Sequence, residues 1–288
     1  MSTESQHRES TTGFLHETVP TSYIDVKGTK FAYRSFGKLG GIPLIFFIHF
    51  NGTMDNWDPE VTNPLSQDQH VILFDNRGVG LSDGQVAESV SRMADDAYAF
   101  INAIGFEQVN LLGFSLGGFV AQEIGAKYPK LVNKLILAGT STIGGAGNTA
   151  ILSHVQKAMK DGPEYILLNL FFSDSLVSRS AGKEYLHRIQ RRTNDRSPMD
   201  TNRTMSAQVK AITNYGASEN NNFQQARSIT QPTLIVNGNN DTMVSTEGSY
   251  DLLQNIPNSK FVIWSDSGHG ALFQYHTDFV REAIAFLN

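Results

Sequence analysis

Short, unbroken apolar runs recur along this chain, with helically spaced stretches between them. The runs at residues 44–48, 71–74, 109–112, 134–138, 233–236 and 261–264 show little polar alternation. That is the pattern of strands covered on both faces. Residues 22–26 and 30–34 alternate instead, around Lys27-Gly28-Thr29, and predict a hairpin. Residues 91–104 bring Met93, Ala97, Phe100, Ile101 and Ile104 to one helical face, and Gly105 stops them. A second helix is predicted at 119–128, ending before Pro129, and an amphipathic helix at 277–287 closes the chain. Apolar strands alternating with helices predict an α/β fold, a mostly parallel eight-stranded sheet flanked by helices.

One region breaks the alternation. Between 142 and 230 there is helical patterning, at 151–159, 163–172, 181–192 and 204–215, with no buried-type strand. Gly144-Gly145-Ala146-Gly147 opens the region and Pro232 follows its end, both suited to hinges. The expected organisation is therefore a polar, flexible leader at 1–20 and a core of 21–141 with 231–288. A helical cap of 142–230 is inserted between two core strands.

Composition narrows the class. A chain of 288 residues with 40% hydrophobic and 18% charged positions is expected to fold as a globular protein with a substantial core. A net charge of -5 argues against a nucleic-acid or anionic-membrane partner. The absence of cysteine excludes disulfides, thiolate nucleophiles and thiolate metal sites. The polar start, MSTESQHRESTTG, lacks the apolar stretch of a secretory signal, so a cytoplasmic location is expected.

The chemistry concentrates in "NLLGFSLGGFVAQ", residues 110–122. Gly-x-Ser-x-Gly alone is weak, arising by chance in roughly one chain in ten of this length. Here it follows a predicted strand and opens a predicted helix, the context that holds a serine hydroxyl out on a strained turn. Ser115 is thus the candidate nucleophile. A serine needs a base, and the base needs an acid to orient it. Asp241 lies in the loop after the 233–236 run, and His269 in the loop after the 261–264 run. In an open α/β sheet both loops fall on the strand-end edge that carries Ser115.

These motifs, in this order, resemble the α/β-hydrolase fold family over nearly the whole chain. "VILFDNRGVGLSDG" is similar to its segment before the nucleophile strand, and "PTLIVNGNNDTMVS" to its acid-bearing segment. "SDSGHGALFQYHTDFVREAIAFL" is similar to its closing histidine loop and helix. The resemblance implies a Ser115–His269–Asp241 triad and an oxyanion hole built from the Leu116 and Asn51 N–H groups. It implies no metal or organic cofactor. The family usually shows His-Gly where this chain has His49-Phe50, a departure that bears on the oxyanion loop. The expected substrate is a small carboxylic ester or lactone, cleaved through an acyl-enzyme, with Phe50, Phe114, Phe171, Phe172 and Val244 as candidate pocket residues. A cofactor-free perhydrolase (haloperoxidase-like) or carbon–carbon bond hydrolase would use the same triad. A slow or non-catalytic ligand-binding receptor on this fold is the alternative of another class.

Several other polar residues are read as structural. Asp266 is assigned a turn, and Asp75, Arg77 and Asp83 hydrogen bonds and ion pairs within their loop. His70, His154, His187 and His276 show no pairing typical of metal ligands.

Overall fold

Side chains alternate between the two faces of each central strand, and on this molecule both faces are dry. Ile45 and Phe47 of β3 (Leu44–Phe47) enter one apolar layer, and Leu44 and Phe46 enter the other. The same split recurs along β4 (His70–Phe74), β5 (Val109–Phe114), β6 (Val132–Ala138) and β7 (Thr233–Gly238). Period-two alternation into two buried layers explains why these segments read as continuous apolar runs.

The computed structural model describes residue 13 and residues 15–145, 163–199, 201–218 and 223–288. The helix expected at 151–159 and residues 1–12 of the leader lie outside them. With the hairpin β1 (Ser22–Val26) and β2 (Thr29–Gly37) and the last strand β8 (Ser259–Trp264), the sheet has eight strands in the order β1-β2-β4-β3-β5-β6-β7-β8. The pairings of β1 with β2 and of β2 with β4 are antiparallel, and the others are parallel. All strands from β3 to β8 therefore end on one edge, where the candidate site is built.

Helices α2 (Val90–Ala103) and α3 (Leu116–Lys127) cover one face, burying Phe100, Ile101, Val120 and Ile124. Helix α1 (Pro59–Asp68) and, after the short α9 (Ala271–Gln274), the last helix α10 (His276–Leu287) cover the other through Val61, Leu65, Phe279 and Ala283. Between β6 and β7 come α4 (Pro163–Phe171), α5 (Leu176–Arg188), α6 (Thr201–Gly216) and α7 (Gln224–Ser228). Helix α5 begins earlier than its apolar periodicity predicts. Ser175 caps it, its side chain accepting from the Ser178 N–H, while Leu176 and Val177 of the first turn face solvent.

This helical segment is pinned to the core by charge. Arg188 reaches Asp58 with both Nε and Nη2, at 2.9 and 2.6 Å, in a fully buried fork. Arg192 donates to the carbonyls of His16 and Val19. The end of the leader is consequently not loose. His16 and Val19 are both 1% exposed, and the His16 N–H donates to Asn63 Oδ1. Among the described residues, no helix is long and apolar enough to cross a membrane.

Candidate active site

Ser115 is the single residue between β5 and α3, with φ 58° and ψ -119°. An L-residue rarely adopts this conformation, so the surroundings must impose it. The Ser115 N–H donates to the Ala138 carbonyl at 2.9 Å, and the Ser115 carbonyl accepts from Gly118 at 2.8 Å. The flanking glycines are required by space. A side chain on Gly117 would strike the Phe47 carbonyl, one on Gly113 the backbone of Gly117, and one on Gly118 the Thr140 side chain. Leu116 is the first residue of α3, so its N–H has no intrahelical acceptor and lies at the positive end of the helix dipole.

Asp241 and His269 meet at 2.7 Å between Oδ2 and Nδ1, with their side chains 0% and 2% exposed. The other carboxylate oxygen, Oδ1, accepts from the Met243 and Val244 N–H groups at 2.8 and 3.0 Å. An ionised carboxylate only accepts, so the Nδ1 proton belongs to the histidine and Nε2 keeps its lone pair. The imidazole lies against the Phe114 ring, 5.0 Å between centroids, which places it beside the elbow. Gly139, at φ 51°, gives it room, since a Cβ there would sit 3.2 Å from the ring. Among the described residues, Ser115 Oγ has no hydrogen-bond partner. The structure thus joins Asp241 to His269, and the Phe114 ring that the imidazole touches belongs to the residue before Ser115.

The histidine loop is built onto the helical segment. His269 and Gly270 donate their N–H groups to the Leu170 and Phe171 carbonyls at the end of α4, at 3.1 and 2.9 Å. Asp266, expected to serve a turn, does sit at φ 51°, and its carboxylate also accepts from Ser173 and Ser175 at 2.5 and 2.6 Å. Those two hydroxyls hold its pKa below the usual carboxylate value. Asp266 therefore ties the histidine loop to the α4–α5 connection.

The loop after β3 answers the question raised by Phe50. Asn51 has φ 56°, whereas Phe50 is not in the left-handed region, so position 50 has no conformational need for glycine. The half-buried Phe50 ring packs on the apolar layer that includes Leu116 and Val244. Gly52 carries the constraint instead, because a Cβ there would come within 2.6 Å of Ile48. His49 donates from Nδ1 to the Phe50 carbonyl at 2.8 Å and lies between the Phe114 and Phe171 rings. Burial lowers its pKa to about 4, with nearby His269 acting in the same direction, so it is neutral at physiological pH. Among the remaining candidate pocket residues, Phe171 faces His269 at 5.7 Å. Phe172 packs on Tyr185 inside the helical segment, and Val244 is buried.

The Asn51 N–H, the expected second oxyanion donor, is already engaged: it donates to Gln208 Oε1 of α6 at 2.6 Å. Nothing in the sequence analysis singled out Gln208. The available signal was a polar residue on the apolar stripe of α6, in line with Thr204, Ala211, Ile212 and Tyr215, all buried.

His16 and Asp75 are two further buried titratable groups. Burial lowers His16 to about 3 and raises Asp75 to about 6, although the Asp75 carboxylate accepts from Met54, Leu81 and Ser197. The two histidines are depressed in the folded state. Their contribution is complete above the unfolded value near 6.5 and is lost as pH falls toward 4 and 3. Asp75 acts oppositely, favouring the fold as pH drops below about 6. From pH 7 to pH 5 the histidines prevail, and the expected net loss is about 2–3 kcal/mol. Thermal melts should show a lower Tm at pH 5, and His16→Gln should flatten the dependence. An equal or higher Tm at pH 5 would contradict the assignment.

A family model of the alpha/beta hydrolase fold matches residues 43–274. The chain belongs to the α/β-hydrolase fold family. An α/β-hydrolase fold protein from Chitinophaga pinensis superposes with a TM-score of 0.92 at 40% identity, covering 96% of this chain and 99% of that one. A 2-hydroxy-6-oxononadienedioate/2-hydroxy-6-oxononatrienedioate hydrolase from Dechloromonas aromatica is 23% identical over 96% of this chain and 99% of its own length. The enol-lactonase from Burkholderia xenovorans LB400 shares the fold at a TM-score of 0.73 and 19% identity, over 92% and 99% of the two chains. This α/β hydrolase is an enzyme with hydrolases among its relatives.

Proposed function

We propose that this α/β hydrolase is a serine hydrolase that cleaves a small carboxylic ester or lactone through an acyl-enzyme. The observation that carries the reading is the buried Asp241–His269 pair beside a serine held at φ 58°. Ser115 Oγ attacks the carbonyl carbon as His269 Nε2 takes its proton. The carbonyl π electrons move to oxygen, and the oxyanion is held by the Leu116 and Asn51 N–H groups. Collapse breaks the bond to the leaving oxygen, which receives the proton from His269, and leaves Ser115 acylated. Water then repeats the sequence, its proton passing to His269 and back to Ser115. Helices α4–α7 act as a cap that screens the site from bulk solvent.

Nothing in these steps draws on a metal. Among the described residues there is no group of three or more His, Asp or Glu side chains placed to hold one. The lactonase likeness supports a carbonyl–oxygen bond as the target. The relative from Dechloromonas aromatica favours a second reading, hydrolysis of a carbon–carbon bond in a vinylogous diketone.

Stopped-flow hydrolysis of p-nitrophenyl esters, acetyl to octanoyl, tests the first reading. The expected trace is a burst of about one nitrophenolate per protein molecule, then slower steady turnover. Absence of turnover on these esters and on simple lactones, with turnover of a vinylogous diketone, would replace it by the second.

A further inference from the structure

An N–H group has one proton to give, and that of Asn51 is taken by Gln208 Oε1 at 2.6 Å. A carboxamide oxygen is an sp² acceptor, the same kind of atom as the carbonyl oxygen of an ester. With Gln208 Oε1 2.6 Å from the Asn51 nitrogen, a substrate oxygen cannot take that position until the glutamine oxygen leaves it. We propose that Gln208 is a gating residue: its carboxamide occupies the oxyanion hole in the free enzyme and swings out when a substrate carbonyl takes its place. This rests on the reading of Asn51 as an oxyanion donor.

The movement belongs to the side chain, because α6 itself is anchored. Arg203 donates to the Gly78 and Gly84 carbonyls, Lys210 pairs with Glu88, and Tyr215 stacks on Phe119 at 4.4 Å. A glutamine has three rotatable side-chain bonds and changes rotamer without moving its helix. Gln208 also borders a cavity of about 10 Å³ lined with Asn76, Arg77 and Met93. That is room for about one water and less than a whole carboxamide, so the amide turns toward the polar Asn76 and Arg77 only as these side chains give way. The gate also filters ligands, since only a group that accepts a hydrogen bond compensates the Asn51 N–H for the one it loses.

The test compares the wild type with Gln208→Met, which keeps length and volume but cannot accept, and with Gln208→Ala. Two readouts are used: p-nitrophenyl acetate kinetics and inhibition by phenylboronic acid, whose serine adduct places an oxygen in the oxyanion hole. Removing the competing acceptor should raise kcat/KM about 5- to 10-fold. The gain should lie in a lower KM at nearly constant kcat, and the boronate inhibition constant should fall by a similar factor. A residue that merely braced the loop would give the opposite sign, a lower kcat as Asn51 drifts. That result, or unchanged KM and inhibition constant in both well-folded variants, would overturn the gate and leave the serine mechanism intact. A wild type that neither turns over the ester nor binds the boronate would remove the ester-hydrolase reading and the gate together.

Discussion

Replacing Ser115 with glycine is expected to abolish turnover and to raise stability in the same variant. Without the hydroxyl no acyl-enzyme forms, and the loss of kcat is expected on the order of 10⁶-fold, as for nucleophiles of other serine enzymes. The gain has a separate origin. Ser115 sits at φ 58° and ψ -119°, a conformation glycine adopts freely and other residues only under strain of about 1–3 kcal/mol. Glycine also enlarges the conformational freedom of the unfolded chain, which offsets about 0.4–1 kcal/mol. The net expectation is a stabilisation of about 1 kcal/mol. Ser115→Ala loses the same activity but keeps the strain, so it should show no comparable gain. Ester kinetics and urea unfolding of the three proteins check both halves. A glycine variant less stable than the alanine variant would contradict the strained elbow.

Asp241→Asn is the second large effect, expected to lower kcat about 10⁴-fold with little structural change. The asparagine Oδ1 can keep the bonds that Oδ1 of Asp241 accepts from the Met243 and Val244 N–H groups. Its Nδ2, however, now faces His269 Nδ1 with a donor. The imidazole must answer with a lone pair there, which moves its proton to Nε2 and removes the base from the side facing Ser115. Geometry survives and chemistry fails, which separates this variant from one that simply unfolds. A loss below about tenfold on p-nitrophenyl esters, with Tm unchanged, would show that Asp241 does not orient the base.

What could be read from the sequence follows from how locally each feature is encoded. Strands β3 to β7 are buried on both faces, so their composition alone marks them. The loops holding Ser115 and Asp241 could be placed because each directly follows such a run. The loop of His269 follows β8, which was expected to be covered on both faces but is the edge strand, half-buried to exposed, with Ile263 facing solvent. Helices α1 and α8 (Thr246–Asn255) carry no such local signal, for the converse reason. Helix α1 buries only Val61 and Leu65 as large apolar residues and contains Pro64, while α8 is mostly polar. Their true signals were the caps: Asp58 before Pro59, and Ser245, whose side chain accepts from Gly248.

The contacts that shape the candidate site most are long-range. Asn51 and Gln208 stand 157 positions apart, and Asp58 and Arg188 stand 130 apart. No local pattern announces such a pair until the fold brings its members together. The docking of His16 and Val19 was hidden in the same way, since their partners Asn63 and Arg192 lie far along the chain.

The most direct test of the central claim is intact-mass and peptide analysis after treatment with an alkyl fluorophosphonate. The account predicts one adduct per molecule on the peptide carrying Ser115, absent in Ser115→Ala and formed far more slowly in Asp241→Asn. An unmodified wild type, or an adduct that persists in Ser115→Ala, would contradict it.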